Sequence, residues 1–323
     1  MKHKHSLNIV YMGTPLFAVA PLDAIVRSNH RIKAVITAPD KASGRGLKTS
    51  FSNVKQYAIS HNLPLLQPTN LKDPQFIESL GLLGADVFVV VAFRMLPREV
   101  WQMPPKGTIN LHASLLPQYR GAAPINHAII NGDNITGVST FFINENIDTG
   151  NIIKQCPISI EPDDNAGSLH DKLMHAGSQL VVETLQLIAT ETVQTIEQND
   201  VQTENLKTAP KIFKEHCLID WRKPGIEIHN LVRGLSPYPG AFTRLAKDNE
   251  AHKICKLLQS DFIYKKHNLP TGSIVSDNKT HIHVAVTDGF IAMEHLQMEG
   301  KKAMHVADFL RGFNIQGLKI VNY

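Results

Sequence analysis

Cysteine is scarce: Cys156, Cys217 and Cys255 are the only three in 323 residues. They are far apart, odd in number and form no C-x-x-C. That argues against a zinc site and a disulfide framework, and it fits a reducing cytoplasm. Long apolar runs are missing, and none approaches the length of a membrane span. The first residues, Met1-Lys2-His3-Lys4-His5, are basic, but the apolar run from Leu7 to Met12 is short. It ends in Gly13-Thr14-Pro15 without a small-residue cleavage pattern, so no signal peptide is expected. No G-x-G-x-x-G follows this first run, and a dinucleotide is not implied. There is no internal repeat and no low-complexity tract. The 16 histidines are scattered. His281 and His283 can share a strand face, but no third ligand stands near them, so surface histidines are expected rather than a metal site.

The length suggests two domains, each able to bury a core. The net charge of +4 hides an asymmetry. Residues 1–205 carry 16 Lys+Arg against 18 Asp+Glu, a balance of −2, and residues 206–323 carry 17 against 11, a balance of +6. A basic C-terminal part suits a polyanion held through its phosphates. Lys207, Lys211, Lys301 and Lys302 are the expected contributors.

The front half alternates strand and helix patterns. Strands are expected at Leu7 to Met12, Ile32 to Thr37, Pro64 to Gln67, Ala85 to Ala92 and Thr108 to His112. Helices are expected from Pro15 to about Arg27, Val54 to His61 and Pro74 to Leu83. The β-branched run within Ala85 to Ala92 is typical of a strand buried on both faces. This pattern predicts an α/β fold with a doubly wound, mainly parallel, Rossmann-like sheet. A long amphipathic helix from Ser168 to Thr190 closes the first domain, residues 1–190. The polar stretch 191–210 reads as a linker. In residues 211–323 a helix from Gly225 to Leu235 precedes short strands at Ala241 to Ala246, His252 to Leu258, Gly272 to Ser276, Ile282 to Val286 and Phe290 to Gln297. Such spacing suggests a small β-barrel.

The most informative stretch is Asn110-Leu111-His112-Ala113-Ser114-Leu115-Leu116-Pro117, followed by Arg120-Gly121-Ala122-Ala123-Pro124. On a strand, Asn110 and His112 share one face. An amide beside an imidazole suits stabilisation of a carbonyl oxygen as it becomes an oxyanion. A carboxylate able to orient the imidazole stands at Asp148 in Ile147-Asp148-Thr149-Gly150. Acyl transfer without a covalent intermediate is therefore the first expectation, because Cys and Ser nucleophile motifs are missing. A second stretch, from Pro39 to Lys48, carries Lys41, Arg45 and Lys48. Glycines flank Arg45, and almost nothing in the loop can be buried. Such a loop can order on an RNA partner.

N-x-H-x-S-L-L-P, then R-G-A-A-P-I, then D-T-G resembles the 10-formyltetrahydrofolate-dependent formyltransferases, and among them the branch acting on methionyl-tRNA. The similarity runs from Met12-Gly13-Thr14-Pro15 to Gly300-Lys301-Lys302-Ala303-Met304, nearly the whole chain. It implies a formyl transfer to the α-amino group of methionine on initiator tRNA, for translation initiation. It implies Asn110, His112 and Asp148 as catalytic residues, with Asp148 orienting His112 and helping to move the proton of the attacking amine. It also implies a folate pocket at Ser114, Leu115, Leu116 and Pro117. Arg45 is implied for tRNA discrimination, with Lys41 and Lys48 as phosphate contacts, and the second domain is implied to be an oligonucleotide-binding-like (OB-like) barrel that binds tRNA. No metal is required, no membrane is involved, and the chain is expected to act in the cytoplasm as a monomer.

This sequence departs from the family pattern twice. Leu16 stands where an acidic residue usually follows Pro15. Ala92-Phe93-Arg94-Met95-Leu96-Pro97 is one residue shorter than usual and puts Arg94 at a glycine-like position. Two rival classes stay open: another formyltransferase, acting on an amino sugar nucleotide or glycinamide ribonucleotide, or a formyl-folate hydrolase; and a non-catalytic RNA-binding protein. The G-R-G loop and the G-K-K-A-M stretch favour the tRNA branch.

Overall fold

The β-branched run of the front half builds the centre of a seven-stranded sheet. Its order is Ile152–Ser159, Ile135–Phe142, Thr108–His112, Val87–Val91, Asn8–Gly13, Arg31–Ile36 and Leu65–Leu66. The computed structural model describes residues 6–43, 48–199, 205–247 and 251–321. The chain divides into two units. The first runs to Gly121 and adds Thr136–Ser159 and His170–Ala209; the second is Ala122–Ile135, Ile160–Leu169 and Pro210 onward.

In the first unit the Asn8–Gly13 strand pairs in parallel with both Arg31–Ile36 and Val87–Val91, and Val87–Val91 pairs in parallel with Thr108–His112. Every residue of Val87–Val91 is buried. Val10, Met12, Phe88 and Val90 share one apolar cluster, while their neighbours Ile9, Tyr11, Val87 and Val89 are fully buried outside it. Apolar side chains on both faces explain the unbroken hydrophobic run, and each contributes about 1.5–3 kcal/mol relative to exposure.

The Ile135–Phe142 strand was not expected from the sequence. It pairs antiparallel with Thr108–His112. Its Ser139 and Thr140 disguise it, because both are polar yet wholly buried. Ser139 Oγ donates to the Ser114 carbonyl at 2.6 Å, and the Thr140 and Thr184 hydroxyls are 2.7 Å apart. Internal partners remove the cost of burying these groups. The long helix spans Ala166–Ala189. A Cβ on its Gly177 would meet the Leu111 side chain at 2.7 Å, which shows how closely the helix lies on that face of the sheet.

Residues 191–210 are less free than a polar composition suggests. Ile196 forms a bridge with Ile152, Gln198 is buried, and Thr208–Ala209 pairs in parallel with Arg120–Gly121.

The second unit holds a nearly closed antiparallel barrel. Its strand order is Ile274–Ser276, Ile282–Ala285, Gly289–Met298, Lys253–Tyr264, Ala241–Ala246 and Lys319–Ile320, with Met304–His305 beside Gly289–Met298. The Gly225–Leu235 helix and an unexpected helix, Val306–Gly312, add Ile228, Val232, Val306 and Phe309 to its core around Trp221. Trp221 is fully buried, and its indole donates to Thr243 Oγ1 at 3.0 Å. The Lys253–Tyr264 strand continues well past the apolar stretch that announces it. Its register shifts around Gln259 let the polar Gln259-Ser260-Asp261 stay paired with Gly289–Met298.

Candidate active site

The Thr108–His112 strand alternates as the sequence requires. Leu111 turns to the long helix, so Asn110 and His112 share the opposite face. Asn110 is half-buried, and its carboxamide makes no hydrogen bond to a described residue. His112 is 8% exposed. Its Nε2–H donates to the Tyr119 carbonyl at 2.9 Å, and its Nδ1 faces Asp148 Oδ2 at 3.8 Å. Among the described residues Asn110 is therefore the donor with no partner, while His112 is engaged on both sides.

Asp148 lies on the turn between the Ile135–Phe142 and Ile152–Ser159 strands. Its φ of 55° is left-handed, a conformation that Asp tolerates better than bulky residues do. The turn is tied at its base by the Phe142 N–H donating to the Asn151 carbonyl at 3.0 Å. Asn144 Oδ1 also accepts from the Asn146 N–H at 3.0 Å and from Thr149 Oγ1 at 2.9 Å. Asp148 Oδ2 accepts from the Gly121 N–H at 3.0 Å. Gly121 has a φ of 128°, and a Cβ there would stand 2.4 Å from the Ala209 carbonyl oxygen. Only glycine allows this strand pairing and the bond to Asp148 together.

Ser114, Leu116 and Pro117 are buried, and Leu115 is half-buried. Ser114 Oγ donates to the Gln118 carbonyl at 2.6 Å, the Leu116 N–H donates to Ser139 Oγ at 3.0 Å, and the Leu116 carbonyl accepts from Gln155 Nε2 at 2.9 Å. Leu116 packs with Phe141 and Ile152. Most polar groups of this turn are thus paired internally.

The basic loop forms a small hairpin. Lys41–Ser43 pairs antiparallel with Lys48–Ser50, bringing Ser43 opposite Lys48. Arg45 lies outside the described residues. At the hairpin's foot Asp40 is 2.6 Å from Lys55 Nζ and accepts from Gln67 Nε2 at 2.9 Å. The Gln67 hydrogen bond and then Lys55 hold its carboxyl below the usual carboxylate range.

Comparison with known proteins narrows what this arrangement serves. Residues 7–185 match the formyl transferase family and residues 211–314 match the formyl transferase C-terminal domain. A methionyl-tRNA formyltransferase of Bacteroides thetaiotaomicron is 51% identical over 313 residues, covering 97% of each chain. One from Flavobacterium johnsoniae is 52% identical over 306 residues, covering 95% of this chain and 96% of its own. The chain belongs to the methionyl-tRNA formyltransferase family. Solved structures share the fold at much lower identity. The sugar 3N-formyl transferase WlaRD has a TM-score of 0.62 at 20% identity, covering 92% of this chain and all of its own. HypX of Aquifex aeolicus, solved with tetrahydrofolic acid, has a TM-score of 0.61 at 17% identity, covering 94% of this chain and 46% of its own.

Against the family pattern, the structure accounts for the unusual Arg94. Its guanidinium donates to the carbonyls of Thr69, at 2.9 Å, and Pro68, and it lies 5.5 Å from the Phe93 ring. Desolvation lowers its pKa. Ala92 takes a φ of 47° two residues before it, and Leu16, the other departure, is 50% exposed. Among the described residues no cluster of His, Cys, Asp and Glu could hold a metal, and no helix is long and apolar enough to cross a membrane.

Arg120 and Gly121 have no task legible in the sequence, and Gln198 lies in a stretch with the composition of a linker. Arg120 Nε and Nη2 donate to Gln198 Oε1 at 2.9 and 2.7 Å. Gln198 Nε2 donates to the carbonyls of Asp148 and Gly150 at 2.9 and 2.8 Å. No local pattern marks a glutamine that works only through residues about 50 and 80 positions away.

Proposed function

We propose that this chain transfers the formyl group of 10-formyltetrahydrofolate to the α-amino group of methionine on initiator tRNA. The observation that carries the reading is likeness to methionyl-tRNA formyltransferases over 97% of the chain, barrel included. Likeness to the sugar formyl transferase stops at 20% identity.

The folate supplies an electrophilic formyl carbon. The methionyl amine attacks it, the carbonyl oxygen becomes an oxyanion, and collapse breaks the bond to the folate nitrogen, which takes up a proton as the attacking amine loses one. Asn110, whose amide has no other described partner, donates to that oxyanion. His112 supplies a second donor by exchanging the Tyr119 carbonyl for the oxyanion. Asp148 orients the ring from its Nδ1 side and helps move the amine proton. Ser114, Leu115, Leu116 and Pro117 form a stiff, internally bonded wall on the folate side, with Leu115 its most accessible side chain. Lys41, Arg45 and Lys48 supply the loop's contacts to the tRNA. Lys301 and Lys302, both exposed on the barrel unit, add phosphate contacts. Residues 1–190 act as the catalytic domain and 211–323 as the tRNA-binding domain, joined by 191–210.

The test is formyl transfer from 10-formyltetrahydrofolate to methionyl-tRNA, with unacylated tRNA and an amino sugar nucleotide as alternative acceptors. Transfer to the sugar nucleotide alone, or none at all, refutes the reading. Arg45→Ala should raise the KM for methionyl-tRNA far more than that for the folate, and equal effects on both would remove the loop from tRNA discrimination.

A further inference from the structure

We infer that Gln198, held by Arg120, is a positioning residue that sets the Asp148 carboxylate against His112. The inference rests on the catalytic reading of His112 and Asp148 given above. It starts from an amide that is 5% exposed and whose two donated hydrogen bonds both run to one turn. Both Nε2 hydrogens are spent, on the carbonyls of Asp148 at 2.9 Å and Gly150 at 2.8 Å. Its Oε1 takes the paired donors of Arg120 at 2.9 and 2.7 Å, so the amide cannot flip without opposing donor to donor and acceptor to acceptor. The next residue, Gly121, uses its N–H to hold Asp148 Oδ2 at 3.0 Å. Arg120-Gly121 therefore grips Asp148 twice, once on the carboxylate and once through Gln198 on the backbone.

That grip matters because the turn is not self-sufficient. Asp148 sits at a φ of 55°, and its carboxylate reaches the His112 ring at 3.8 Å, with no closer bond to hold the pair. Loss of the Gln198 bonds leaves two carbonyls free to rotate the Asp148–Gly150 peptides, and the carboxylate moves with them. Misplacement of about 1 Å at a reacting centre costs on the order of 100-fold in rate. Tyr119, whose carbonyl takes the other side of His112, is tied to the same returning segment, since its N–H donates to the Lys207 carbonyl at 2.7 Å. The stretch after the long helix thus supports the imidazole's surroundings from two directions.

The experiment measures kcat, both KM values and the melting temperature for Gln198→Ala, Gln198→Glu, Arg120→Ala, Asp148→Asn and the Gln198→Ala/Asp148→Asn double variant. Gln198→Ala should lower kcat roughly 10- to 100-fold while each KM stays within about twofold. Gln198→Glu keeps the volume and the Arg120 pair but faces two carbonyls with acceptors, so it should lose activity as well. In the Asp148→Asn background, Gln198→Ala should cost nothing further, because its effect runs through Asp148. Full activity in Gln198→Glu, or additive losses in the double variant, would overturn the inference. If Gln198→Ala does not fold, Arg120→Ala carries the same expectation from a half-buried position. Histidine ring signals by NMR separate this from the functional reading. The His112 resonances should shift in Gln198→Ala in the sense they shift in Asp148→Asn, whatever acceptor the enzyme uses. Unchanged signals would refute the clamp even in an active enzyme.

Discussion

Alanine at Gly150 puts a methyl group where the Phe142 carbonyl already stands. An ideally placed Cβ would lie 1.6 Å from the Phe142 oxygen and 2.8 Å from its carbonyl carbon. Real Cβ atoms essentially never approach within 3.0 Å, so one backbone must retreat by about 1.4 Å or more against repulsion that rises steeply. Phe142 is held by the Asn151 carbonyl at 3.0 Å, and Gly150 by Gln198 at 2.8 Å, so the displacement cannot be absorbed without breaking one of these bonds. Asp148 stands two residues from the insertion, and its 3.8 Å approach to His112 leaves little margin. A shift of that size should lower kcat on the order of 100-fold. Overpacking should also cost about 1–3 kcal/mol of stability, some degrees of melting temperature. Single-turnover formyl transfer and thermal denaturation read the two effects. Gly312→Ala is the control, because a Cβ there meets nothing within 4 Å. A Gly150→Ala enzyme with wild-type melting temperature and turnover would refute the packing argument. One that is destabilised but fully active would remove Asp148 from the mechanism.

Asn110→Ala should lower turnover roughly 100- to 1000-fold with an unchanged melting temperature, since the amide bonds no described residue; near-normal turnover would exclude it as the oxyanion donor. Titration of native protein with a thiol reagent should find one prompt thiol, the half-buried Cys156, because burial raises the Cys217 thiol and pushes Cys255 up to about 12; all three should react in denaturant, and two prompt thiols in the native state would contradict this burial. His30 should make the fold acid-sensitive. Its Nδ1 accepts from the Leu7 N–H at 3.2 Å, its Nε2 is buried with no partner among the described residues, and burial lowers its pKa from 6.5. The unfolded chain then binds the proton more readily, so stability should fall as pH drops below 6.5, and His30→Gln should flatten melting temperature against pH in that window; an unchanged slope would exclude His30 as a source.

Elements whose own side chains carry the period were legible in advance. The Val87–Val91 strand, the Gly225–Leu235 helix and the long helix ending at Ala189 match their expected places within a few residues, because their burial pattern is written in consecutive side chains. The Ile135–Phe142 strand was hidden, since Ser139 and Thr140 read as surface until Ser114 and Thr184 are seen to satisfy them. The far half of Lys253–Tyr264 was hidden for the same kind of reason: its polar residues are held by cross-strand pairing rather than by local preference.

By itself the sequence determined an α/β front half with a separate basic β-rich part, and it put Asn110 and His112 on one strand face, because a period of two along the chain is enough to decide that. It also nominated Asp148, but only as an acidic turn some distance along. The tertiary structure decided that this turn meets His112 from the Nδ1 side, that Tyr119 takes the other ring nitrogen, and that Asn110 keeps its amide unengaged among the described residues. It also decided that Gln198, in a stretch with the composition of a linker, is buried against the Asp148 turn. The physical reason is that these are pairings between single polar groups brought together by chain topology. A hydrogen bond across such a span leaves no periodicity in the sequence from which it could be read.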